Sequence, residues 1–214
     1  MATNTKTRLL EAAIQQFSID GFAGTSIRKL AAEVGIKESS VYKHYPSKQA
    51  LFEAVLAAAR SKVEALGAQS GVSVNDADAA APVYAEISPE SLVAIADGFL
   101  SMWLFDEEFI ALRRVLVVEQ YRSPEAGDLL RGFLIEEPLQ FQTALFANLI
   151  AAGAFRPADP ADVAMAFWGP VVAVLLTANE PSDADSARSR LRAHIAHFSQ
   201  THAATHAATR TAKD

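Results

Sequence analysis

Residues 25–45 read Thr25-Ser26-Ile27-Arg28-Lys29-Leu30-Ala31-Ala32-Glu33-Val34-Gly35-Ile36-Lys37-Glu38-Ser39-Ser40-Val41-Tyr42-Lys43-His44-Tyr45. Ile27, Leu30, Ala31 and Val34 recur at i, i+3, i+4 and i+7, the spacing of one helical face. The period stops at Gly35, a residue that adopts positive φ without a Cβ clash and so ends one helix and lets another start at a sharp angle. Ala31 lies four residues before it, where a crossing helix needs a small side chain. Ile36 and Val41 then supply apolar contacts for the second helix, leaving Ser39, Ser40, Tyr42, Lys43 and His44 facing outward. Two short helices in this relation form a helix-turn-helix, whose second helix enters the DNA major groove.

The neighbouring residues extend the pattern. Upstream stand Arg8-Leu9-Leu10-Glu11-Ala12-Ala13, Phe17 and Gly21-Phe22, and downstream Tyr45-Pro46-Ser47-Lys48-Gln49-Ala50-Leu51. With these positions the segment from about residue 8 to 51 resembles the DNA-binding domain of the TetR family of transcriptional regulators. The resemblance covers roughly the first quarter of the chain. Beyond it only a general pattern of helices is shared.

That resemblance implies roles for particular residues. Thr25, read as the N-cap of the first motif helix, matches a position that bonds a backbone phosphate in the family. Tyr42 and Lys48 match phosphate contacts, and Lys48 in the first turn of a helix is otherwise unfavourable for the helix dipole. Ser26 and Ser40 join the expected contact set, and Tyr45 is assigned to the core. Lys37, Glu38, Ser39, Lys43 and His44 are the candidates for reading base edges, lysine donating to guanine and glutamate accepting from cytosine. Lys37 departs from the family pattern, which has a small hydroxyl there to cap the recognition helix.

Charge is divided to match. The net charge is −6, but residues 1–50 hold seven Lys and Arg against four Asp and Glu, while the remaining residues hold twelve against twenty-one. A basic head and an acidic body suit a chain that touches phosphates at one end only.

Cysteine is absent, which excludes disulfides and thiolate sites and fits a reducing compartment. With no apolar run behind the N-terminal charges, and no uncharged run approaching membrane-spanning length, a cytoplasmic chain is expected. No phosphate loop, Gly-x-Ser-x-Gly, His-Glu-x-x-His, Glu-x-x-His or dinucleotide fingerprint occurs, so an enzyme is not expected. No cofactor is expected either.

Helix starts are marked by a capping residue before proline at Ser88-Pro89, Ser123-Pro124 and Asp159-Pro160. The periodicity predicts helices over about residues 5–20 (Leu10, Ala13, Ile14 and Phe17 inward), 48–66, 89–104, 106–122, 124–152 with a break near Pro138, 160–177 and 182–204. Residues 67–87 read as a loop. No alternating strand pattern appears, so the expected fold is all-α. The predicted division is a DNA-binding head over residues 1–50, a ligand-binding and dimerisation bundle over 51–204, and a flexible tail over 205–214.

The body carries fourteen of eighteen aromatic residues, enough to fill a helical core. TetR-like regulators hold a small-molecule pocket among these middle helices, and by that resemblance Phe99, Trp103, Tyr121 and Phe141 are candidate lining residues for an apolar or aromatic effector. Asp97 or Glu119 would orient a cationic group there, or else pair with Arg113 or Arg122. The stretch Ala161–Leu176 is apolar almost all round, which implies burial on two sides. The family's homodimer, a four-helix bundle of the two C-terminal helices, supplies the second side, with Ala164, Gly169 and Ala173 allowing close approach and Phe167 and Val171 in the seam. Such a dimer reads a palindromic site, and a repressor released by its effector is the expected function. Two rival readings stand beside it. His194, His197, His202 and His206 sit at metal-binding spacings, as in a metal-sensing regulator, although a solvated tail explains them as well. A helical interaction module without DNA would need a head lacking Tyr42 and Lys48.

Overall fold

A computed structural model of the chain describes residues 4–69, 78, 80–82 and 89–204. The tail at 205–214, His206, the Ser88 cap and most of the predicted 67–87 loop lie outside them. Where that loop is described it is helical: 67–69 continue the preceding helix, and 78 and 80–82 are helical too. The described residues carry no β-strand, only an isolated bridge between Phe155 and Ala203, so the fold is all-α.

The elements are α1 (Thr5–Gly24), α2 (Ile27–Val34), α3 (Glu38–Val41), α4 (Lys48–Gln69), α5 (Pro89–Phe105), α6 (Glu107–Glu119), α7 (Pro124–Arg131), a π-helical turn (Gly132–Glu136), α8 (Glu137–Ala151), α9 (Pro160–Thr177), a 3-10 turn (Pro181–Asp183) and α10 (Ala184–His202). Side-chain caps start several of them. The Asn4 side chain accepts from the Lys6 N–H, Asp106 from Phe109, Ser123 from Ala126, and Asp159 from Ala161. The break predicted near Pro138 is the π-helical turn just before it. Proline has no N–H to give the carbonyl four residues back and its ring crowds that carbonyl, so the helix widens there.

Packing divides the chain into two compact units, residues 1–66 with 102–134, and residues 67–101 with 135–214. The division differs from the motif-based boundary at residue 50 because α6 belongs to the unit that holds the head.

In the first unit, Leu9, Ala12, Ala13, Ile14 and Phe17 form the buried side of α1. Leu9, not Leu10, takes the deepest place, since Leu10 is only half-buried. Phe17, Phe22 and Phe52 meet as an aromatic trio with centroids 5.0–5.8 Å apart, fixing α1 against α4.

The second unit has its own core of Leu145, Phe146, Leu149, Val163, Ala164 and Phe198, with Phe141 and Phe167 packed on its edge. The expectation that Ala164, Phe167 and Val171 form a seam between subunits is corrected here: Ala164 and Val171 are buried within the single chain, and Phe167 packs on Phe146 and Phe198. The large apolar residues of α9 left outside are Met165 and Leu176, 56 % and 52 % exposed, and Ala161, Ala166, Pro170 and Ala173 are exposed with them. By length and mean hydropathy (1.5 over 18 residues) α9 meets the requirement for crossing a membrane, so one segment does approach spanning length. A partly buried core helix meets the same requirement.

Candidate nucleic-acid interface

The head is built on a buried base. Ile27, Leu30, Ala31 and Val34 are all buried on one side of α2. Gly35 ends the helix at φ 76° and ψ 33°, its N–H returning to the carbonyls of Ala31 and Ala32, and the Ile36 N–H reaches the Ala31 carbonyl at 2.9 Å. A Cβ at Gly35 would meet nothing within 4 Å, so the requirement for glycine is purely one of backbone conformation. Arg8 reinforces the same end of α2, donating to the Val34 carbonyl at 2.8 Å.

The N-cap of α2 is Ser26, whose hydroxyl accepts from the Lys29 N–H at 3.1 Å, and not Thr25. Thr25 is 2 % exposed and its hydroxyl donates to the Gly21 carbonyl at 2.9 Å. That hydroxyl is therefore committed to the end of α1 and is not presented to a phosphate. The one-residue shift arises because Thr25 must close the helix before Ser26 can open the next.

The recognition segment is short. Lys37 stands at the N-cap of α3 with no side-chain capping bond, as its departure from the family pattern implies. Val41 is the buried anchor of α3, and turns through Tyr45 follow, with His44 and Tyr45 N–H groups both returning to the Val41 carbonyl. Lys37, Glu38, Ser39, Tyr42 and Lys43 are exposed, Ser40 and His44 half-buried. Tyr45 is buried, its hydroxyl donating to the Lys6 carbonyl at 3.3 Å, and burial raises its pKa above the ordinary phenol value. α4 begins with its own cap, the Ser47 hydroxyl accepting from the Ala50 N–H. Lys48 Nζ lies 4.4 Å from the centre of the Phe22 ring, a cation–π contact that offsets the unfavourable helix dipole.

One link was not legible in the sequence. Gly21 interrupts α1 at φ 70° and ψ 171°, which frees the Phe22 N–H. Glu119, 3 % exposed at the end of α6, accepts it at 2.9 Å. Arg122 Nη1 stands 4.0 Å from the same carboxylate, so of the alternatives for Glu119 the contact with Arg122 is present, and its main partner is the head backbone.

The model of the family described as "Bacterial regulatory proteins, tetR family" matches residues 9–55, the segment just described. Residues 9–55 are thus similar to a TetR-family DNA-binding domain. Over 55 residues it is 38 % identical to the nucleoid occlusion factor SlmA of Photobacterium profundum, covering 25 % of this chain and 28 % of that one. Over 52 residues it is 40 % identical to the transcriptional repressor SCO4008 of Streptomyces coelicolor, covering 24 % and 27 %. The alignment thus spans under a third of the length of these curated relatives. The fold extends further. SmeT, the repressor of the Stenotrophomonas maltophilia multidrug efflux pump SmeDEF, matches 95 % of this chain and 93 % of its own with a TM-score of 0.62 at 17 % identity, and its triclosan complex gives 0.66 at 16 %.

Outside the head, the chain distributes its candidate residues differently from the sequence expectation. Trp103 is fully buried in the first unit, stacked near Phe133 and tilted against Phe109. Tyr121 is 92 % exposed, since α6 ends at Glu119 and the tyrosine falls on the outer side of the following turn; it lines no pocket here. Phe99 meets Trp168 edge-on, and Phe141 packs on the core of the second unit. Asp97 pairs with Arg192 at 3.1 Å and Arg188 at 3.7 Å, not with Arg113 or Arg122. Two of the histidines are absorbed into packing: His194 Nε2 lies 2.8 Å from the Phe167 carbonyl, and the His202 ring centre lies 4.6 Å from that of Phe198, while His197 is exposed. The end of α10 is held by the Arg156 N–H donating to the His202 carbonyl, so the solvated-tail reading does not apply to His194 or His202. Among the described residues no group of three metal-ligating side chains forms.

Proposed function

We propose that the protein is a cytoplasmic, homodimeric repressor that leaves a palindromic operator when a small apolar or aromatic molecule binds. The observation that carries this reading is the row of exposed polar residues, Lys37 to Ser39, Tyr42 and Lys43, set on a rigid apolar base by the Gly35 turn. Ser26, Ser40, Tyr42 and Lys48 belong to the contact set, Tyr42 and Lys48 on phosphates; Lys37, Glu38, Ser39, Lys43 and His44 face base edges. Thr25 serves by holding the end of α1. The partner subunit covers the outward face of α9, where Met165 and Leu176 would otherwise remain in water. The triclosan complex of SmeT and the buried aromatic cluster around Trp103 support an apolar effector.

Binding to DNA flanking the protein's own gene, followed by fluorescence anisotropy, tests the reading. One fragment should be retained with a steep dependence on salt and released by effector. Failure to retain any of that DNA overturns it.

A further inference from the structure

Arg113 is 7 % exposed, in the middle of α6. Its guanidinium carbon lies 4.1 Å from the centre of the Trp103 ring, and Phe109 and Phe133 complete the cluster, with centroids 5.6 Å apart. Its Nε is fully buried without a hydrogen-bond partner, and no carboxylate among the described residues pairs with it. Three acids of the same unit are engaged elsewhere: Glu119 with the Phe22 N–H, Asp106 and Glu108 with Lys62. Burial, with repulsion from Arg114 next, pushes the Arg113 pKa down to about 10. The group still carries its charge at neutral pH. A buried charge of this kind is costly unless paired, and an aromatic face offsets only part of the lost hydration. Nε is the buried donor left without an acceptor.

We propose that Arg113 is the anchor for an anionic effector, an apolar molecule of aromatic size whose carboxylate takes the guanidinium while its body lies against Phe133, the half-buried member of the cluster with Trp103 and Phe109. A single guanidinium matches a monoanionic carboxylate in bidentate geometry; a phosphate dianion would leave a second charge buried and unmet. The proposal deepens the effector-responsive reading above and rests on it. It also supplies a route to the head. Arg113 and Glu119 are on one helix, about 9 Å apart along its axis at 1.5 Å per residue, so a ligand that draws on Arg113 acts on the same rigid element that holds the Phe22 N–H.

The test uses the full-length protein carrying Trp168→Phe, which leaves Trp103 as the fluorophore. It is titrated with 2-naphthoate, with the neutral 2-naphthamide and with decanoate. The expected result is saturable binding of naphthoate at least tenfold tighter than naphthamide, and a loss of that difference in Arg113→Met. Decanoate binding as tightly as naphthoate would overturn the aromatic body; equal affinity for naphthoate and its amide, or no saturable binding of either carboxylate, would overturn the anion site. A second measurement needs no ligand. Arg113→Met removes an unpaired buried charge and should raise the melting temperature by about 3 °C, whereas a lower melting temperature would mean that the arginine is a structural element already satisfied. Operator anisotropy on the same samples separates the two readings. A wild-type protein that retains no DNA sinks the regulatory function; one that retains DNA but shows no carboxylate preference sinks only this inference.

Discussion

Helices α2 and α9 are both read from apolar residues at helical spacing, but they differ in what covers those residues. In α2 the four apolar positions are all buried, and Arg28, Lys29, Ala32 and Glu33 occupy the outer side. In α9 Val163, Ala164, Val171, Val172, Val174 and Leu175 are buried within the chain, while Met165 and Leu176 remain outside. A polar half marks the buried half by contrast. Where no polar half exists, periodicity cannot say which apolar residues a chain keeps for itself and which it leaves for another surface.

The sharpest way to break that comparison places the same charge on both sides of α9. Val171→Asp puts a carboxylate into the core without a partner and should cost about 4 kcal/mol or more, seen as a collapse of cooperative thermal unfolding. Met165→Asp should change the stability of the single chain by no more than about 0.5 kcal/mol, yet give monomers in sedimentation. A Met165→Asp protein that stays dimeric would move the pairing surface away from this face.

Next in size is the head. Leu30→Ala opens a cavity under a fully buried side chain and should cost about 3 kcal/mol in denaturant unfolding. A loss below about 1 kcal/mol would show that the base of α2 collapses readily and is less rigid than its burial implies.

The link between Glu119 and the broken end of α1 gives a smaller, coupled effect. Glu119→Ala leaves the Phe22 N–H without its acceptor and should cost about 2 kcal/mol. At Gly21 an added Cβ would lie 2.9 Å from Glu119 Oε1 on a backbone with φ 70°, so Gly21→Ala should cost about 2 kcal/mol as well. Together they should cost less than the sum, because deleting the carboxylate also deletes the clash. Strict additivity in a double-mutant cycle would mean that the two sites do not touch.

Lys48→Ala has the smallest effect on stability within the head and is the most informative for DNA. Loss of the contact with Phe22 should cost about 0.5–1 kcal/mol, and the slope of log affinity against log salt should fall by about one. An unchanged slope would leave Lys48 with its structural role alone.

Legibility in the sequence followed the range of the interactions. The α2 turn, the caps at Ser123 and Asp159 and the break before Pro138 depend on residues within a few positions of one another, and each was readable. Thr25 was misplaced by one residue because two adjacent hydroxyls can both cap, and only the return of its hydroxyl to Gly21 decides between them. Tyr121 was misplaced because an aromatic just beyond a helix end has no periodicity to orient it. The histidine spacing left a solvated tail and a metal site as its two readings, but His194 and His202 are engaged by Phe167 and Phe198, which no local pattern reveals.

By itself the sequence determined the all-α class and the helix-turn-helix head, since these rest on propensity, capping and one positive-φ glycine, all encoded locally. Tertiary structure alone decided that Glu119 holds the head backbone across 97 positions of sequence, that Arg113 stands buried over Trp103, and that Ala164 and Val171 face their own chain. Those outcomes depend on burial and on the pairing of buried charge, which are properties of what lies opposite a residue in space.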